Sequence, residues 1–188
     1  MKKIFDQAEN YLNSINEAWE ALDWALVQIL LDDLHKAWTS GSKVFICGNG
    51  GSAANANHLA NDLLYGISPS DEKGLHVHSL ASNMAVNSCL ANDTGYSNIF
   101  SKQLGVLGQK NDILIVFSGS GNSPNVVEAI KKAKTLGINT HAIVGFDGGK
   151  CKKYADNAIH IPLDNMQIAE DFQMMIGHIL MLELKKSR

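Results

Sequence analysis

The sequence predicts an α/β domain: a mostly parallel sheet of about five strands, helices on both faces, and a helical segment ahead of it. Three observations carry this. From Lys43 onward, short apolar runs bounded by turns alternate with helical stretches, the texture of strands buried on both sides. A strand–loop–helix unit with a Ser/Gly-rich loop occurs twice. The first forty residues instead place Ile4, Tyr11, Ile15, Trp19, Leu22, Leu26 and Ile29 at helical intervals on one face.

That leading segment runs with few breakers to Ser40-Gly41, a helix stop. Asp23 is a candidate cap for a second helix, so one bent helix and two consecutive helices both fit. Its apolar stripe exceeds what one small sheet covers, so residues 1–40 are expected to pack on the domain or against another subunit. Val44–Cys47 reads as the first strand, followed by Gly48-Asn49-Gly50-Gly51-Ser52 and a helix to about Tyr65. Leu75–Leu80 is the second strand and Met84–Ala91 a short helix. Ile113–Phe117 is the third strand, followed by Ser118-Gly119-Ser120-Gly121-Asn122-Ser123 and a helix from Pro124 to about Leu136. Thr140–Val144 and Ala158–Ile161 supply further strands, and the last helix runs from about Met166 to Leu184. No linker interrupts residues 1–188, which read as a single domain.

Composition narrows the function classes. A hydrophobic fraction of 45% and a charged fraction of 19% are ordinary for a globular protein. A net charge of −3 offers no basic face for nucleic acid. No apolar run approaches the ~18 residues that cross a bilayer, and no secretion signal is apparent, so a cytoplasmic protein is expected. Cys47, Cys89 and Cys151 form no CxxC pair and read as buried thiols of a reducing compartment.

Both Ser/Gly loops sit where a strand ends and a helix begins, the place where open α/β sheets bind ligands. Glycine lets backbone approach an anion, free amides point at it from the helix start, and serine hydroxyls add donors without bulk. Ser118, Ser120 and Ser123 supply three hydroxyls, with Pro124 suited to the first helical turn; Gly50, Gly51 and Ser52 supply a second set. Residues 48–53 also satisfy G-x-G-x-x-A, but the second strand ends in Leu80-Ala81-Ser82-Asn83, without the acid a dinucleotide ribose needs. A phosphate is the better-fitting ligand.

A second constellation carries proton or metal chemistry. His58 and Asp62 lie four apart on the helix after the first loop, and Glu170 and His178 eight apart on the last helix. Two histidines and two carboxylates make a tetrahedral zinc set, and equally a set of proton-transfer groups. His35, His76, His78, His141 and His160 show no comparable partners and read as structural.

Residues 45–54 (Phe-Ile-Cys-Gly-Asn-Gly-Gly-Ser-Ala-Ala), the segment Ala91-Asn92-Asp93-Thr94-Gly95-Tyr96, the loop Ser118–Ser123 and Asp147-Gly148-Gly149-Lys150 together resemble the phosphoheptose isomerase family of SIS domains. The resemblance spans nearly the whole chain and implies the three-layer SIS fold. It implies isomerisation of sedoheptulose 7-phosphate to D-glycero-D-manno-heptose 7-phosphate, toward the heptose of lipopolysaccharide or related glycans. It further implies a homotetramer with zinc at active sites formed between subunits. By position, substrate contacts would fall on Asn49, Gly50, Gly51, Ser52, Asn92, Asp93, Ser118, Gly119, Ser120 and Ser123. The metal positions would be His58, Asp62, Glu170 and His178, with Asp62, Glu170 and His178 the catalytic groups.

Three positions depart from the family, which has Glu at Asp62, Gln at Glu170 and Thr at Gly119. Asp62 is one methylene shorter, and a ~1 Å misplacement of a base can cost ~100-fold. The same fold also resembles a non-catalytic tetramer that binds a replication initiator, and sugar-phosphate sensors. The initiator-binding relative lacks the acid and the last-helix histidine, whereas Asp62 and His178 are present here.

Overall fold

The computed structural model describes residues 2–70 and 73–187. Its elements are α1 (Lys2–Glu20), α2 (Trp24–Ser40), β1 (Val44–Cys47), α3 (Gly51–Asn61), β2 (Val77–Ser79), α4 (Met84–Thr94), α5 (Ile99–Leu107), β3 (Ile113–Ser118), α6 (Pro124–Leu136), β4 (Asn139–Val144), α7 (Gly149–Tyr154), β5 (Asn157–His160) and α8 (Met166–Lys186). The strands form one sheet in the order β2-β1-β3-β4-β5, each neighbouring pair parallel. This is the doubly wound order whose topological switch lies between β1 and β3. The two Ser/Gly loops follow those two strands, so the topology itself sets them side by side.

Alternation within the strands divides the core. Ile113, Ile115 and Phe117 face one side with Leu34, Leu59, Phe172 and Ile176; Leu114 and Val116 face the other with Phe100, Ile130 and Cys151. Helices α2, α3 and α8 thus cover one face, and α5, α6 and α7 the other. Phe45, Phe117 and Phe172 are fully buried, each contributing roughly 2–3 kcal/mol of transfer free energy.

One open alternative is decided and several local expectations are corrected. The leading segment is two helices, because the Asp23 carboxylate accepts from the Ala25 amide and caps α2. Ile4 does not join the buried stripe and is 71% exposed. Tyr11 and Ile15 do pack on the core, and the Tyr11 hydroxyl donates to Asp171 on α8 at 2.5 Å. The second strand shortens to three residues, Val77–Ser79, which pair among the described residues with β1 alone. The helix from Gly51 ends at Asn61 and continues as a π-helical turn, Asp62–Gly66. Helices α5 and α7 were not anticipated: α5 is apolar around most of its circumference, and α7 has one turn and a half after two glycines. Cys89 is exposed, not buried, and its thiol donates to Asp93.

His141, read from sequence as unpartnered, is a buried clamp between α2 and the sheet. Asn157 Nδ2 donates to His141 Nδ1 at 3.1 Å, so the ring proton sits on Nε2 and is directed to Asp33 Oδ2 at 3.2 Å. Burial lowers the His141 pKa below its ordinary value of 6.5, against the opposing pull of Asp33 and Asp156. The unfolded chain therefore binds a proton that the folded one resists, and stability falls as pH drops below about 6.5. Urea midpoints for wild type and His141→Gln at pH 7.5 and 5.5 check this: the substitution should reduce the acid-side loss. An equal loss in both proteins would exclude the clamp as its source.

Candidate functional site

Helix α3 carries chemistry at both ends. At its start, Gly50, Gly51 and Ser52 face Ser118, Gly119, Ser120 and Ser123 across a cavity of about 290 Å³. No lysine or arginine lines that cavity and the Glu170 carboxylate stands at its edge, so an anion there would be held by neutral donors and the starts of α3 and α6 against one negative neighbour. Three of the serines are already used as acceptors. Ser52 Oγ receives Gln173 Nε2 at 3.1 Å, Ser118 Oγ receives the Gly121 amide at 3.1 Å, and Ser120 Oγ receives the Asn122 amide at 3.3 Å. A hydroxyl has one proton to give, so each keeps its O–H for a ligand.

The second loop is braced from behind. Gly121 has φ +65°, and a Cβ there would lie 2.0 Å from Gly148 O. The Cys151 amide donates to Gly121 O, and the Lys150 amide to Asn122 Oδ1. The Asp147–Lys150 segment is thus the buttress of the Ser118–Ser123 loop. Gly119 would place a Cβ 2.2 Å from the Met166 thioether, so Met166 fills the room that a threonine would need.

At the other end of α3, His58 and Asp62 meet His178 of α8. Their facing atoms form a triangle: His58 Nε2 to His178 Nε2 3.3 Å, His58 Nε2 to Asp62 Oδ2 3.4 Å, His178 Nε2 to Asp62 Oδ2 3.6 Å. Asp62 Oδ2 is buried and accepts no hydrogen bond, an orphaned acceptor that calls for a cation or proton donor. A tetrahedral zinc ion with ~2.0–2.2 Å bonds has ligand–ligand edges of roughly 3.3–3.6 Å. The three atoms therefore fit that ion, leaving an open position. Two features bring them together. The π-helical turn starts at Asp62, and Gly177 lets α8 approach α3, its Cβ position lying 3.1 Å from Leu59 Cδ1.

The remaining expected site residues divide. Asn49 lines the cavity with the loop residues. Glu170 does not join the His58–Asp62–His178 group; its carboxylate lies over Gly51, 2.2 Å from where a Cβ would stand, and lines the anion cavity. Asn92 and Asp93 are exposed on α4, away from the cavity lining, with Asn92 Nδ2 donating to Asp93 Oδ1 at 2.8 Å. That bond above all, and the Cys89 thiol with it, hold the Asp93 carboxyl below its usual range.

Four polar residues around the cavity were missed from sequence. Buried Gln173 aims Ser52, and Asn55 Nδ2 fixes Gln173 by donating to its Oε1 at 3.0 Å. Asn125 and Tyr96 both bond the Asn49 side chain. Only the position of Tyr96, within the segment 91–96 singled out above, gave a signal.

The SIS domain family model matches residues 7–145. A phosphoheptose isomerase of Helicobacter pylori (strain Shi470) is 38% identical over 180 residues, covering 96% of this chain and 91% of that protein. Among solved structures, a phosphoheptose isomerase from Francisella tularensis superposes with a TM-score of 0.90 at 28% identity, covering 98% of this chain and 97% of its own. One from Neisseria gonorrhoeae gives 0.89 at 26% identity, covering 98% of each. With sequence likeness along its length and the same fold throughout, this chain belongs to the phosphoheptose isomerase family of SIS domain proteins.

Proposed function

We propose that this protein is an aldose–ketose isomerase that converts sedoheptulose 7-phosphate to D-glycero-D-manno-heptose 7-phosphate, in heptose precursor synthesis. The observation that supports it best is the two-ended character of α3: an anion cradle at its start and a His/Asp/His group at its end. Ser52 and His58 are six residues apart, about 9 Å along the axis. An extended chain from C1 to the phosphorus of a seven-carbon sugar phosphate spans eight bonds, also roughly 9 Å. One end of such a substrate anchors while the other reacts.

Ser52, Ser118, Ser120 and Ser123 hold the phosphate together with Asn49, and the Gly50–Gly51 backbone contacts the adjoining carbons. Glu170 accepts from the sugar hydroxyls nearest the phosphate. At the far end, Asp62 Oδ1 takes a proton from C1, giving an enediol, and returns it to C2. With no ion on that nitrogen, His178 Nε2 moves the matching hydroxyl proton from O1 to O2, so that both hydrogens lost at position 1 reappear at position 2. His58, Asp62 and His178 would hold a zinc ion, which when bound supplies a Lewis acid for the carbonyl oxygen. Binding energy of the remote phosphate orients the reacting carbons. The initiator-binding alternative gives the orphaned Asp62 carboxylate no task.

Assembly as a homotetramer and a cytoplasmic location complete the proposal. Exposed Ile4, Phe5 and Leu12 on α1 support a role for residues 1–40 in subunit contacts. Among the described residues, no helix is long and apolar enough to cross a membrane. The test is turnover of sedoheptulose 7-phosphate against unphosphorylated sedoheptulose. The phosphate should raise kcat/KM by at least about 100-fold; equal rates, or no aldose product from either, would refute the reading.

A further inference from the structure

Behind the cradle, two asparagine side chains close a small hydrogen-bond ring and a tyrosine from a third segment bonds to it. The Val126 amide donates to Asn125 Oδ1 at 3.0 Å, which fixes the orientation of the Asn125 amide. Asn125 Nδ2 then donates to Asn49 Oδ1 at 2.7 Å, and Asn49 Nδ2 returns a bond to Asn125 Oδ1 at 2.9 Å. Tyr96 adds its hydroxyl proton to Asn49 Oδ1 at 2.9 Å. Asn125 is 1% exposed, so this geometry is held by packing as well as by bonds.

The consequence for Asn49 follows from counting. Its carbonyl oxygen has two lone pairs, and both are taken. Its amide nitrogen has two protons, and one is taken. Asn49, in the cavity lining, is therefore left with a single N–H and no acceptor to offer. That suits an oxygen-rich anion and excludes a donor such as an ammonium group. The ring also ties the first loop to the start of α6, just after the second loop, so the two halves of the cradle move as one.

We propose that Asn125 and Tyr96 are positioning residues that lock Asn49 as a hydrogen-bond donor to the phosphorylated end of the substrate. This rests on the sugar-phosphate reading above. Neither residue touches the reacting carbons, so their loss should raise KM and leave kcat nearly unchanged.

The experiment compares wild type, Tyr96→Phe, Asn125→Ala and Asn49→Ala, and the two double variants carrying Asn49→Ala. KM and kcat are measured with sedoheptulose 7-phosphate, and the Kd of inorganic phosphate by calorimetry. Tyr96 is exposed, so Tyr96→Phe keeps the fold whatever Asn125→Ala does to it. KM and the phosphate Kd should rise about fivefold in Tyr96→Phe and about twentyfold in Asn125→Ala, with unchanged kcat. Both effects should shrink below about twofold in the Asn49→Ala background, because the residues act through Asn49. Full additivity with Asn49→Ala, or a phosphate Kd unmoved in Tyr96→Phe, would overturn the proposal. If wild type binds phosphate but does not turn over the sugar, the functional reading fails, and the phosphate arm alone decides the positioning role. If wild type binds neither, both fall.

Discussion

Asp62→Asn should abolish turnover while leaving the protein folded and able to bind sugar phosphate. The amide has the shape of the carboxylate but cannot accept a carbon-bound proton. A positioned acid–base group contributes ~10²–10⁴-fold, so kcat should fall by about 10³. The phosphate anchor lies at the opposite end of α3, so the Kd for the sugar phosphate should hardly change. Stability should hold or rise, because Asp62 Oδ2 is buried without a hydrogen-bond partner and an amide nitrogen can donate to the facing imidazoles. Measuring kcat with and without added zinc separates loss of the base from loss of a metal ligand. Retention of more than a tenth of wild-type kcat would remove Asp62 from the chemistry.

Gly121→Ala should damage the anion cradle more than any other single methyl group added to the second loop. The residue sits in the left-handed region at φ +65°, and the new Cβ would meet backbone, 2.0 Å from Gly148 O and 2.5 Å from Gly148 C. Neither atom can swing aside as a side chain does. The conformational penalty and the collision together should cost roughly 3 kcal/mol. The two loops must part, so KM for the sugar phosphate should rise at least about tenfold. Gly119→Ala is the control: its obstacle is the end of the flexible Met166 side chain, which can move away. Thermal melts and KM values for both variants check this, and an equal effect in the two would contradict the buttress role of residues 147–150.

Much of this was legible in the sequence because it depends on short-range patterns. Apolar runs between turns located the strands, and their ends located both Ser/Gly loops before any contact was known. Helical spacing brought His58 and Asp62 to one face. Glu170 was harder. Eight residues on a helix are about 12 Å of rise and some 80° of rotation from alignment, so Glu170 and His178 point to opposite ends of the same groove. Spacing alone could not say that the first faces Gly51 and the second Asp62. The π-helical turn at Asp62 left no trace in the local pattern. Asn125, Gln173 and Asn55 read as ordinary polar helix residues, and their roles arise only where α3, α6 and α8 meet. The partnership of His141 with Asp33 was invisible for the same reason, since 108 positions of chain separate them. Cys89 was misjudged because a cysteine outside any CxxC pair reads as a buried thiol, whereas α4 carries no fully buried residue.

The most direct test of the two-ended isomerase is to incubate the protein with sedoheptulose 7-phosphate in D2O and follow the product by NMR. Transfer through an enediol on Asp62 exposes the migrating proton to solvent, so an aldose heptose 7-phosphate should appear with deuterium at C2. Formation of the aldose with hydrogen wholly retained at C2, or no aldose while the sugar phosphate stays bound, would contradict the account.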